Sequence, residues 1–198
     1  MSSNRSLTAR NVSPFIAPTN IYSSHHELIA IVTTTCENNL SQSLNHIIEL
    51  AETGYQLDMP NRQGRTGLSY AAGSSKYVVA ELLLEVGADP NIQDDNGMSA
   101  LHIACCTGSL DTIKLLVNSG AFIYLRDNRG DIPLHHAIRC GRSIEIIEYL
   151  VSCDIDALHA SNYSGETPLQ YAESLDEKQI YAAMLDVQQM YQNNNNNC

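Results

Sequence analysis

Glycine recurs along this chain at Gly64, Gly97, Gly130 and Gly165, at intervals of 33, 33 and 35 residues. A fixed period of that length marks a repeat architecture, in which each segment is one supersecondary unit. A second register runs beside the first, because Leu68, Leu101, Leu134 and Leu169 each follow their glycine by four positions. Residues 94–126 show the physics of one unit. Asn96-Gly97 signals a turn, since glycine tolerates positive φ. Ser99 then caps a short helix predicted over Ala100–Thr107, and Gly108 ends it where a left-handed residue is wanted. Leu110, Ile113, Leu116 and Val117 give a second helix one apolar stripe, which Gly120 terminates. Neither helix alone can hide its apolar face, so each unit is stable only when stacked on neighbours.

The phrases that carry the leucine register are Thr66-Gly67-Leu68-Ser69, Ser99-Ala100-Leu101-His102, Ile132-Pro133-Leu134-His135 and Thr167-Pro168-Leu169-Gln170. They resemble the ankyrin repeat family, whose unit is a hairpin turn followed by two antiparallel helices opening on Thr-Pro-Leu-His-x-Ala. The resemblance is clear from Asn61 to Gln189. It implies an all-α solenoid of helix-turn-helix units with short β-hairpin turns, in a single curved domain over residues 21–192. Within it we expect a degenerate first unit at 25–60, clear repeats at 61–93, 94–126 and 127–161, and a C-terminal cap at 162–192. The segment Thr33 to Ser43 is longer than the family turn. Asp154 stands where glycine is usual, and two extra residues precede Gly165, so a longer, less regular loop is expected there. Residues 1–20 and the Asn-rich 193–198 lack periodicity and are expected to be disordered.

Lys and Arg number 11 against 22 Asp and Glu, a formal charge of -11. That field repels phosphate backbones and anionic lipid, which argues against nucleic acid as a partner. The longest apolar run, Leu28 to Val32, is far short of the roughly 20 residues a spanning helix needs. The N-terminal stretch has Arg5 and Arg10 but no apolar core of a secretory signal, so the cytoplasm is expected, with the nucleus an alternative. Six cysteines without a CxxC pair predict free thiols.

Chemistry-bearing clusters favour structural roles. His102, Cys105 and Cys106 fall on one side of a helix but lack a full tetrahedral ligand set, so no metal site is predicted. His102 and His135 occupy the Leu-His slot, where in the resembling family the imidazole bonds loop backbone. His136 has no cysteine or acid at a repeated spacing. Cys106 and Cys140 fall near the same end of consecutive units, as neighbours across the inner surface. Asn91 lies in a Gly-Ala-Asp-Pro-Asn loop and is read as tying that loop down. The phosphate-cradling, nucleophile-elbow and metalloprotease motifs are absent, and stacked helix pairs make no deep cleft, so no catalysis, cofactor or small-molecule substrate is expected.

The arginines carry the positive signal. Arg62, Arg65, Arg126, Arg129, Arg139 and Arg142 map to hairpin tips or the adjacent end of the first helix of a unit, the rim of the concave face. Arginine is enriched at binding hot spots because its planar fork grips carboxylates. Carrying over the family's use of tips and inner helices implies a partner-binding set of Arg62, Gln63, Arg65 and Ser74 in one unit. The next contributes Asp95, Asn96, Met98, Cys106 and Thr107; then follow Asn128, Arg129, Asp131 and Arg139, and last Tyr163 and Glu166. Met98 and Tyr163 are the expected apolar anchors. The expected function is a non-catalytic, monomeric module that binds another protein through its tips and concave face, as an inhibitor or adaptor. Alternatives are a secreted microbial effector that binds host proteins, and a thiol- or metal-responsive regulator using Cys105, Cys106 and Cys140.

Overall fold

The computed structural model describes residues 27–175 and 177–195, with side chains as far as Met190. The predicted tail 1–20, residues 196–198 and Cys198 lie outside the described residues. Ten α-helices occur among those described. They pair as α1 (Glu27–Thr34) with α2 (Leu40–Glu52), α3 (Gly67–Gly73) with α4 (Tyr77–Glu85), and α5 (Ala100–Thr107) with α6 (Leu110–Asn118). Two more pairs follow, α7 (Pro133–Arg139) with α8 (Ile144–Cys153) and α9 (Pro168–Ser174) with α10 (Lys178–Asn195). The odd-numbered helices form an inner layer in which α1, α3, α5, α7 and α9 pack in succession. Along α2, α4 and α6 the outer helices touch far less than the inner ones do.

The leucine register fills the seam between layers. Leu68, Leu101 and Leu134 are at most 2% exposed, against Leu83, Leu116 and Leu150 from the outer helices. Burying one such side chain contributes about 1.5–3 kcal/mol. Ala71, Ala104 and Ala137 are fully buried between successive inner helices, where a small side chain lets backbones approach.

Four hairpin tips, each opening a unit counted first to fourth from Asn61, are built on one Asn or Asp apiece. Asn61, Asp94, Asp127 and Asn162 accept on the backbone carbonyl the amide of the glycine three residues on, at 2.8–3.0 Å. Their Oδ1 atoms accept two further amides, two and four residues on. This is a type I turn followed by a left-handed glycine, with φ of +75°, +76°, +78° and +82° at the four ladder positions. Successive tips are joined by single backbone bonds, from Asp95 N to Gln63 O, Asn128 N to Asn96 O and Tyr163 N to Arg129 O, each 3.0 Å. One bond per tip extends no ladder, and no strand occurs among the described residues. The next tip also lies directly on the glycine: a Cβ at Gly97 would stand 2.8 Å from the Asn128 nitrogen.

Several expectations need correction. The connection between α1 and α2 is only residues 35–39, because α1 extends to Thr34 and α2 begins at Leu40. The two extra residues of the third repeat do not make one irregular loop. Ser143, the N-cap of α8, lies two residues after Gly141, whereas Ser109 directly follows Gly108, so one extra residue sits between the helices. The other belongs to a regular 3-10 turn over Ile155–His159, which the Asp154 side chain caps by accepting the Asp156 amide. Asp154 is extended, at φ -161°, where Gly87 and Gly120 are left-handed, so glycine is not required. Helix α10 runs through Asn193 to Asn195, which were expected to be disordered.

Ser75 occupies the position of Gly108 and Gly141 and is the one non-glycine residue at positive φ (52°) among those described. A left-handed residue with a Cβ costs about 1–2 kcal/mol, and Ser75 is exposed. Ser75→Gly is expected to stabilise the fold by about 1 kcal/mol after the extra freedom of the unfolded glycine is deducted, which raises the urea unfolding midpoint. Gly97→Ala lowers it through the clash with Asn128.

Candidate interaction site

The surface formed by the tips and inner helices is organised around what the tip residues do with their remaining side-chain atom. Asn61 donates from Nδ2 to the Tyr70 hydroxyl (2.9 Å), and Asp127 Oδ2 accepts from His136 Nε2 (2.9 Å), both nine residues on in the same unit. In the other two units the partner comes from the preceding tip. Asp94 Oδ2 receives Arg65 Nε at 3.2 Å, and Asn162 Nδ2 donates to Asp131 Oδ1 at 2.9 Å. The position of Tyr70 and His136 is held in the second unit by Ile103, which has no polar atom to offer.

Between the second and third tips this produces an open pocket of about 380 Å³, lined by Asn96, Met98, Asp127, Asn128, Arg129, His136 and Arg139. Its floor is a buried polar network. Asp131 is 2% exposed and accepts Arg139 Nη1 on Oδ2 at 3.1 Å. Arg139 Nη2 donates to His136 Nδ1 at 2.6 Å. The His136 tautomer follows from its neighbours: Nδ1 accepts from a guanidinium, so Nε2 carries the proton given to Asp127. Burial and then Arg139 hold the His136 pKa below its ordinary value, while Asp127 opposes them. Burial pushes the Asp127 carboxyl up, but the His136 hydrogen bond and the amides of Arg129 and Asp131 outweigh it and hold it low. Asp127, Asp131 and His136 place ligand atoms within 4.8 Å of one another, as a cation site would, yet each of these atoms already has a partner and Arg139 stands among them.

Of the residues expected to bind a partner, the pocket gathers Asn96, Met98, Asn128, Arg129 and Arg139. Arg129 is exposed and its side chain makes no hydrogen bond among the described residues. Asp131 is corrected from a contact to a positioning residue, since it is buried and both oxygens are engaged. Arg65 is tied to Asp94, and Thr107 bonds the Ala104 carbonyl of its own helix. Arg62, Gln63 and Ser74 are exposed in the first unit, away from the pocket, as Asp95 is on the second tip. Tyr163, 72% exposed, and the half-buried Glu166 belong to the fourth tip. The six arginines do not converge: Arg126 bonds the Gly130 and Ser161 carbonyls, and Arg142 lies over Gly108 with its Nε buried and unpartnered among the described residues. Sequence reasoning missed His136 and Asp127. The signal was the spacing of nine from tip residue to inner helix, shared with Asn61 and Tyr70.

The sequence matches the ankyrin repeat family in three overlapping stretches, residues 29–127, 68–160 and 123–197. This chain belongs to the ankyrin repeat family. Among its relatives, Ankyrin repeat domain-containing protein 63 of Mus musculus is 36% identical over 127 residues, 60% of this chain and 32% of the relative. SH3 and multiple ankyrin repeat domains protein 2 of Homo sapiens is 32% identical over 136 residues, 68% of this chain and 7% of the relative. NF-kappa-B inhibitor delta of Mus musculus is 36% identical over 92 residues, 46% of this chain and 28% of the relative. The chain thus spans a third or less of the length of these proteins. Ankyrin repeats are in general protein-interaction modules.

The ankyrin helix starts account for His102 and His135. His102 Nδ1 accepts the Ser99 amide at 3.1 Å, and Nε2 donates to the Asp131 carbonyl of the next tip at 3.1 Å. His135 repeats this with the Ile132 amide and the Glu166 carbonyl, each at 3.2 Å. Both rings are therefore neutral splints between units. Asn91 ties down its loop by bonding Gly120 O and the Phe122 amide. Neither Cys105 nor Cys106 is an activated thiol: burial first, and Cys140 close by, push Cys106 up to about 11, and burial raises the fully buried Cys105 well above its ordinary value.

Burial, with the neighbouring His136, lowers the His102 pKa from 6.5 to about 4. The unfolded chain therefore binds this proton first as acid is added. Stability from the neutral ring is complete above pH 6.5 and is lost as pH falls toward 4, by about 3 kcal/mol in all. Urea unfolding at pH 7 and pH 5 checks this: the midpoint is expected to fall at pH 5, and a midpoint that stays level removes the neutral-splint assignment.

Proposed function

We propose that the chain is a non-catalytic protein-binding module that holds its partner across the hairpin tips and inner helices and acts as an inhibitor or adaptor. The observation that carries this reading is the pocket between the second and third tips. Its carboxylates have their oxygens occupied by protein donors, while Arg129 is exposed and without a side-chain hydrogen bond and Arg139 keeps a partly exposed edge. An arrangement that keeps acids inside and cations outside, in a protein of net charge -11, is suited to an acidic partner surface. The likeness to an NF-kappa-B inhibitor supports the inhibitor role in particular, since masking a partner needs only a binding face. Against catalysis stand the occupied nitrogens of His102 and His135 and the raised thiol of Cys106. We take the module to act as a monomer in the cytoplasm, with neither nucleic acid nor membrane as partner. No helix among the described residues is long and apolar enough to cross a membrane.

Capture of partners on immobilised protein tests the face. Arg129→Glu reverses an exposed charge in the pocket, and Lys114→Glu reverses one on an outer helix, over the Tyr149 ring. Recovery of a partner is expected to fall at least tenfold with Arg129→Glu and to survive Lys114→Glu. Equal recovery by both variants overturns the assignment of the face.

A further inference from the structure

We propose that the pocket between the second and third tips is a receptor for one Asp or Glu side chain of an extended partner segment, with an apolar residue two positions away resting on Met98. This rests on the reading of the tips and inner helices as the binding face, and it specifies what that face recognises.

The argument begins with Arg139. Its Nη1 and Nη2 donate to Asp131 and His136, and the guanidinium also bonds the Tyr171 side chain, which fixes its plane and leaves two of its five N–H groups. The guanidinium side chain is 28% exposed, so that outer edge reaches the pocket. A long side chain ordinarily loses about 0.5–1.5 kcal/mol of freedom when a ligand immobilises it. Here the buried acid and imidazole impose that order beforehand. Arg129, lining the same pocket, supplies a second, unattached fork. A fixed fork and a free one match a planar carboxylate, which accepts two N–H donors from one guanidinium and more from the other.

Charge selects a monoanion. Asp127 lines the pocket and Asp131 is paired with Arg139 behind it, so these two buried acids offset the charges of Arg129 and Arg139. A carboxylate brings one charge against donors that face it. A phosphate brings close to two, against the same buried acids. The half-buried Met98 forms the adjoining wall. In an extended segment residues i and i+2 share a face, which sets the spacing of acid and apolar residue.

The probes are ten-residue peptides with a central Leu-Ser-Glu sequence, its Gln counterpart, and a phosphoserine counterpart, titrated into the full 198-residue chain and followed by backbone and guanidinium NMR. The Glu peptide is expected to shift Met98, Asn128, Arg129 and the Arg139 guanidinium, and to bind at least tenfold more tightly than the Gln or phosphoserine peptides. Arg129→Gln, exposed and without a folding role, is expected to remove that preference. Arg139→Lys keeps the charge opposite Asp131 and is expected to weaken Glu binding through loss of the fork. Equal shifts by Glu and Gln peptides, or tighter binding of phosphoserine, overturn the proposal. If a captured partner then maps to the tips through residues other than acids, the binding face stands and the carboxylate receptor alone has failed. If it maps to the outer helices, both have failed.

Discussion

A turn that folds back on itself strands several amides away from water, and an amide without an acceptor costs about 1–3 kcal/mol. In this protein the answer is the same at every tip: one Asn or Asp whose side-chain oxygen takes two amides at once. That side chain then has a second polar atom, which must also be satisfied because the tip is pressed against its neighbours. Tyr70 and His136 meet the demand from within the unit, Arg65 and Asp131 from the unit before. The tips are thus both closed and linked by one requirement. The histidines of the helix starts add the next link, since His102 and His135 each join a helix N-terminus to the following tip.

The framework was legible because it is imposed by stacking. Gly97 must be glycine twice over, for its φ and for the approach of Asn128, and a residue forced by backbone contact recurs wherever the contact recurs. The helix over Ala100–Thr107 with its left-handed Gly108 was readable for the same reason. Less of the site was legible. Whether the second atom of a tip residue is met from nine residues on or from the preceding tip is decided in three dimensions: Ile103 has no polar atom to offer Asp94, and Tyr171, at the same position in the fourth unit, bonds Arg139 while Asn162 turns to Asp131. Asp131 was misread for a related cause: at the position of Arg65, Met98 and Glu166 it is the residue drawn inward, by Arg139 and Asn162 together.

Because the units share one backbone scheme, their differences show where the chain departs from what folding alone asks. At the inner-helix position of Arg139, the first and second units carry Gly73 and Cys106. Both stack without a cation there. The fourth tip needs an acceptor for Asn162 Nδ2, which a neutral side chain would have met at lower cost. A buried carboxylate at Asp131 instead creates a charge that must be paired, and an ion pair taken out of water is at best weakly stabilising. Folding therefore gives no strong reason for Asp131 and Arg139 to occur together. Their joint effect is to hold a guanidinium edge at the floor of a pocket, with Arg129 free on its lip. Arg65 is held in the same way against Asp94, but the pocket of the third unit sets an ordered guanidinium beside a free one, and a partner is the simplest recipient of that pairing.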